Sequence, residues 1–147
     1  MAQVISATAA ARSRNREALQ CVRRDRFVGQ ALDLLVDARQ SAAEGRFADA
    51  LEMAYRASLR AAGARVAAST VSRRRRLPTS AWEQVALIGP ADAQWAAEFK
   101  DYSRVRSRVA SGLDPVPDPD TVYRYVALAA RYVDATESEL GFGGLAA

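Results

Sequence analysis

Apolar residues recur along most of this chain at the three- and four-residue spacing of an α-helix, and no stretch alternates apolar and polar residues as a half-buried strand does. The first stripe comprises Val28, Leu32, Leu35 and Val36, and Gly45 follows it as a stop signal. A second stripe starts at Phe47 and continues through small residues that allow a partner helix to approach closely, namely Ala54, Ser58 and Ala62. The pattern predicts helices over 28–43 and 47–69, and the short connection between them makes them antiparallel neighbours.

Three further helices are predicted downstream. Ser80 and Glu83 fit a capping box for a short helix over 80–88, which ends at a Gly-Pro pair. Aromatic residues dominate the stripe of the next helix, predicted over 91–110. After a proline-rich connector, Asp118 and Pro119 provide the N-cap and first position of a helix over 119–140. We therefore predict an all-α protein of four to five helices.

The two ends of the chain differ from its middle. Residues 1–26 have few large apolar side chains and are predicted to be a basic, mobile arm, which becomes helical from about Ser13 onward when a partner holds it. Residues 27–140 are predicted to form the helical bundle, and residues 141–147 a disordered tail. The arm carries six arginines against two acidic residues, so it accounts for the formal net charge of +4, and the rest of the chain balances to zero. A flexible basic arm is a common device for following phosphates or an acidic protein surface.

The composition excludes several kinds of chemistry. The chain has no histidine, which rules out a Ser–His or Cys–His nucleophile pair, a histidine general base and a histidine-ligated metal. The single cysteine, Cys21, has no partner for a disulfide within the chain, and no phosphate loop or dinucleotide fingerprint occurs. We therefore predict no catalytic residue, metal or cofactor. The apolar runs are too short to cross a bilayer and no secretory signal is evident, so we expect a cytoplasmic protein without a membrane partner.

Two basic clusters outside the arm are candidate contacts for an anion. Arg73, Arg74, Arg75 and Arg76 form a run before Pro78, and Lys100, Arg104 and Arg108 share one face of the fourth predicted helix. A solvated loop and a solvated helix face are the alternative interpretations. We predict that the arginine run is exposed in either case, and that it binds phosphates only if the second cluster converges on it.

The order of these features resembles the HEPN family (higher eukaryotes and prokaryotes nucleotide-binding), in particular its small actinobacterial-type members. The resemblance covers roughly residues 28–140 and rests on the segments ALDLLVDAR, YRASLRAA, RRRRLPTSAWE and WAAEF, followed by a tyrosine-containing last helix. The arginine run with its SAWE sequence is the most specific part. The resemblance implies an up-and-down helical bundle, often dimeric, and the bias toward Arg and Ala is typical of a high-GC bacterial genome.

Many HEPN domains are metal-independent ribonucleases with an Arg-x4-6-His motif near the start of a late helix. The resemblance places Arg124 at such a position, but no histidine is available. Tyr123, Tyr125 and Tyr132 are the candidates for a replacement base, and each would need a lowered pKa.

We therefore expect a non-catalytic HEPN-like module that binds RNA, a nucleotide or a protein partner through its basic clusters, with Arg124 among the contact residues and a homodimer as one assembly. Two alternatives stay open. One is a ribonuclease with non-standard chemistry around Arg124, and the other is a scaffold that binds only proteins through the acidic end of the last helix. Steep salt dependence of binding separates phosphate contacts from apolar docking.

Overall fold

The computed structural model describes residues 2–141, with side chains from residue 7 onward. It contains five α-helices: α1 (Ala2–Ala43), α2 (Phe47–Ala67), α3 (Ala81–Ala86), α4 (Pro90–Ala110) and α5 (Pro119–Glu139). A 3₁₀ turn, Thr70–Arg73, opens the connector between α2 and α3, which we define as residues 68–80. No strand occurs in the described part of the chain, and the predicted all-α class is confirmed.

Long-range contacts fix the directions of the helices. Tyr102 on α4 donates to the carbonyl of Leu51 near the start of α2, whereas Asp92 in the first turn of α4 pairs with Arg65 near the end of α2. The two helices are therefore antiparallel. Arg65 also donates to Thr136 near the end of α5, so α5 runs parallel to α2. With α1 antiparallel to α2 across a three-residue connection, the helices form the predicted up-and-down bundle.

An aromatic cluster fills the space between α2, α3, α4 and α5. Trp82 stacks on Phe99 with ring centroids 4.4 Å apart and an interplanar angle of 9°. Its Nε1 donates to the hydroxyl of Tyr55, which in turn contacts Ser103. Tyr132 packs against Phe99 at 4.8 Å. The aromatic residues of the sequence stripes are thus core residues, and Trp82, Tyr55, Tyr102 and Tyr132 are not available as platforms for stacking bases.

Small residues allow α1 and α2 to pack closely. Ala54, Ser58 and Ala62 on α2 are fully buried, as their spacing predicted. Gly63 lies under the ring of Phe27, and a Cβ atom at this position would approach the ring to 3.1 Å. The small residues of α2 thus allow α1, including the ring of Phe27, to pack directly against the α2 backbone.

The predicted caps are present at two of the helix starts. The hydroxyl of Ser80 accepts from the backbone N–H of Glu83 at the start of α3, and Asp118 accepts from Thr121 N at 2.8 Å at the start of α5. Gly45 adopts a φ of 77°, which allows the turn between α1 and α2.

Two predictions for α1 were wrong. The helix does not start near residue 28 but extends without a break from Ala2, because Ala and Arg favour the helical backbone even where no apolar stripe is present. Val36 is 60% exposed, since the stripe that faces α2 and α5 is Val28, Ala31, Leu35, Ala38 and Ala42. Three of its five members are alanines, which a search for large apolar residues passes over. The tail predicted at 141–147 lies outside the described residues except for Gly141.

Among the helices of the described range, none is long and apolar enough to cross a membrane.

Candidate nucleic-acid interface

A groove of about 380 Å³ separates the first half of α1 from the end of α2 and the start of the connector. Its walls come from residues 13–24 on one side and residues 67–73 on the other. We call it the arginine groove, and it is lined by Ser13, Arg16, Glu17, Gln20, Cys21, Arg24, Ala67, Ala68, Ser69, Thr70, Ser72 and Arg73. The groove therefore brings together the two basic segments identified in the sequence, which are the arm and the arginine run.

The charges in the arginine groove are predominantly positive. Arg16, Arg24 and Arg73 face a single carboxylate, Glu17. Within the described residues, Arg16 and Arg73 form no ion pair, and Arg24 pairs only with its neighbour Asp25, through Nε at 3.2 Å. The pair is solvent-exposed, and such pairs contribute little free energy. The three guanidinium groups are therefore free to bind an anion.

The hydroxyl groups of Ser69 and Ser72 on the connector wall are engaged locally. Ser69 donates to the carbonyl of Val66 at 2.8 Å, and Ser72 donates to the carbonyl of Ser69 at 2.9 Å. Their protons are committed to the backbone, so the charged donors for an anion are the arginines, with Thr70 as the remaining hydroxyl of this wall. The remaining polar group of note is Gln20, whose side-chain oxygen Oε1 is buried and has no hydrogen-bond partner in the described structure.

The rest of the arginine run follows Arg73 along the connector. Arg74, Arg75 and Arg76 are exposed, which agrees with the expected solvated loop. They form no ion pair among the described residues and extend the positive surface beyond the groove.

The second basic cluster does not converge on this run. Lys100, Arg104 and Arg108 do not line the arginine groove. Arg108 lies near the start of α2, because the adjacent Arg106 binds Glu52, and α2 with its 21 residues separates that end from the connector by about 30 Å. Arg108 is also paired with Asp114 at 2.7 Å, which lowers the pKa of that carboxyl. The α4 cluster and the arginine run therefore do not form one phosphate site. The arginines that lie beside Arg73 come from the arm instead.

Arg124 lies in a different groove, of about 430 Å³, between α4 and α5. We call it the α4–α5 groove, and its lining comprises Glu98, Asp101, Thr121, Arg124, Tyr125, Leu128 and Arg131. Arginines project from α5 and carboxylates from α4, and no ion pair joins the two rows in the described structure. Arg124 donates only to Thr121, one turn earlier on its own helix.

The tyrosines near Arg124 are unsuited to act as a base. Burial raises the pKa of Tyr125, whose hydroxyl donates to Asp101 at 3.1 Å. Burial also raises the pKa of Tyr132, which is fully enclosed in the core. Tyr123 donates to the carbonyl of Ala42 and packs its ring against Phe47. A tyrosine base needs a lowered pKa, so the geometry disfavours non-standard ribonuclease chemistry around Arg124.

One buried charge was not foreseen from the sequence. The side chain of Arg65, near the end of α2, is 6% exposed and pairs through Nη1 with Asp92 at 3.1 Å and with Glu139 at 2.7 Å. Its Nε donates to Thr136, and its guanidinium carbon lies 4.8 Å from the ring centre of Tyr132. Arg65 thus ties α2 to α4 and α5 just before the connector. All of these partners are distant in sequence, so no local pattern could have identified them.

A family model described as HEPN_SAV_6107-like HEPN matches residues 37–137. No curated protein and no solved structure is matched by the chain.

Proposed function

Because this chain belongs to the HEPN_SAV_6107-like HEPN family, we propose that it is a non-catalytic HEPN module that binds RNA through the phosphates of the strand, in the arginine groove. The observation that carries the proposal is the meeting of Arg16, Arg24 and Arg73 in one groove without competing ion pairs between helices. Guanidinium groups are bidentate donors to phosphate, and the release of counterions adds a favourable, salt-dependent contribution. The exposed run Arg74 to Arg76 extends the path for a strand that leaves the groove.

The test is fluorescence anisotropy of a labelled single-stranded RNA across a salt series, with the wild-type chain and an Arg16→Ser/Arg24→Ser/Arg73→Ser variant. Three lost phosphate contacts reduce the slope of log K against log salt by about 2, which corresponds to binding roughly 100-fold weaker at 0.1 M salt. The labelled RNA is expected to stay uncut, because the chain has no histidine and burial raises the pKa of Tyr125 and Tyr132.

The matched control is Lys100→Ser/Arg104→Ser/Arg108→Ser, which removes the same number of positive charges from α4. We expect this variant to keep the salt slope of the wild type, because these residues lie outside the groove. Equal weakening by both variants would show that only net charge matters and would contradict the proposal. Absence of wild-type binding at low salt would assign the module to a protein partner.

A second candidate function, protein binding, is favoured by the α4–α5 groove. Arg124 and Arg131 line one wall and Glu98 and Asp101 the other, and the two rows leave their charges unpaired in the described structure. We infer that a second copy of the chain docks here, because a two-fold axis would place the arginines of each copy opposite the carboxylates of the other.

The expected result is a concentration-dependent dimer in light scattering. Glu98→Lys/Asp101→Lys and Arg124→Glu/Arg131→Glu should each be monomeric, since like charges would then face each other. A mixture of the two variants should form a heterodimer, because both of its charge sets are again complementary: the new lysines face the new glutamates, and the native arginines face the native carboxylates. A wild-type chain that stays monomeric at high concentration would overturn this inference and leave the RNA proposal untouched.

A further inference from the structure

Gln20 lines the arginine groove together with two arginines of the same helix. Arg16, Gln20 and Arg24 are spaced four residues apart on α1, so they lie on one face of the helix and all three line the groove. The carbonyl oxygen of Gln20, Oε1, is buried and has no hydrogen-bond partner in the described structure. A buried polar atom without a partner is uncommon in folded proteins and calls for an explanation.

An amide oxygen can only accept a hydrogen bond, so its partner has to be a donor. The nearby hydroxyls of Ser69 and Ser72 already donate to backbone carbonyls. The groove therefore presents arginine donors that suit an anion, and rotation of the Gln20 side chain, one helical turn from both Arg16 and Arg24, would add an acceptor that suits a hydroxyl or amino group. A phosphate with a neighbouring hydroxyl matches this arrangement, and a ribonucleotide unit carries both groups.

We propose that Gln20 accepts a hydrogen bond from the ribose 2′-hydroxyl and makes the arginine groove selective for ribonucleotides over deoxyribonucleotides. The inference rests on the proposed function, because Arg16 and Arg24 must hold the adjacent phosphate for the sugar to reach Gln20. The 2′-hydroxyl is the group by which a protein distinguishes RNA from DNA at a given site. DNA would leave the buried oxygen without a donor.

The experiment compares oligoriboadenylate with oligodeoxyadenylate of the same length, which differ only in the 2′-hydroxyl. Wild-type protein should bind the RNA about three- to tenfold more tightly, the range expected for one hydrogen bond. Gln20→Leu should abolish this preference while affinity for the DNA and the salt slope stay unchanged. Gln20→Glu should weaken both affinities by charge repulsion but keep the preference, since a carboxylate still accepts from the hydroxyl.

A parallel titration with AMP and 2′-deoxy-AMP shows whether the ligand of the groove is an RNA strand or a free mononucleotide. If the wild-type protein prefers AMP to 2′-deoxy-AMP and Gln20→Leu removes this preference, the role of Gln20 is supported and the site is assigned to a mononucleotide. Equal wild-type affinity for the RNA and the DNA would overturn the role of Gln20 and leave the groove as a phosphate site. Binding of neither oligonucleotide nor AMP would overturn the proposed function, and with it this inference.

Discussion

Arg65→Met is expected to lower the free energy of unfolding by about 3–5 kcal/mol, since removing one partner of a buried ion pair leaves the other charge without compensation. The methionine retains much of the aliphatic stem but removes the contact with Asp92, whose side chain is 15% exposed. The hydrogen bond to Thr136 and the cation–π contact with Tyr132 are lost at the same time. Urea denaturation followed by circular dichroism measures the change.

The control for this prediction is Arg60→Met, an exposed arginine of the same helix that forms no ion pair among the described residues. Its effect should stay within about 0.5 kcal/mol, as is usual for surface substitutions. Adding Asp92→Asn to Arg65→Met should recover part of the loss, because the unpaired carboxylate is then neutralised. A loss for Arg65→Met no greater than that for Arg60→Met would contradict the account of a buried, paired charge.

Trp82→Ala is the second substitution with a large expected effect, again about 3–5 kcal/mol, the usual cost of truncating a buried aromatic residue. Trp82 is 3% exposed, stacks on Phe99 and donates through Nε1 to Tyr55. Trp82 and Val85 are the buried residues of α3, so Trp82 is a main anchor of the segment that follows the connector. The lower free energy of unfolding should be measurable in both thermal and urea denaturation.

Leu87→Ala provides the comparison, because Leu87 directly follows α3 but is 39% exposed. It should cost well under 1 kcal/mol, since little apolar surface returns to water. If Trp82→Ala and Leu87→Ala were equally mild, the aromatic cluster would not be the core of the bundle. Trp82→Phe should fall between them, because it preserves ring packing but removes the donor to Tyr55.

Local sequence signals predicted α2 to α5 well. Periodic apolar residues predicted the helices. Their boundaries were predictable as well, because caps and turns depend on neighbouring residues, here Ser80, Asp118 and Gly45. The extent of α1 was missed because its first half has no apolar stripe, although Ala and Arg suit a helix.

The arginine groove could be predicted only in part. The sequence identified the arm and the arginine run as the two uncompensated basic segments, but not that Arg16 and Arg24 face Arg73. Their meeting depends on α1 extending beyond the end of α2, which is a tertiary property. The condition that Lys100, Arg104 and Arg108 converge on the arginine run also depends on tertiary structure, and it is not met because helix direction places Arg108 at the other end of the bundle.

Cys21 offers the most direct measurement of the central claim, because it is exposed, lines the arginine groove and is the chain's single cysteine. The rate of its alkylation by iodoacetamide, a neutral reagent, reports whether the groove is occupied in the unmodified protein. Single-stranded RNA is expected to slow the reaction in proportion to the fraction of protein bound, and added salt is expected to restore the rate as binding is lost. RNA that binds by anisotropy but leaves the alkylation rate of Cys21 unchanged would place the interface elsewhere and contradict the account.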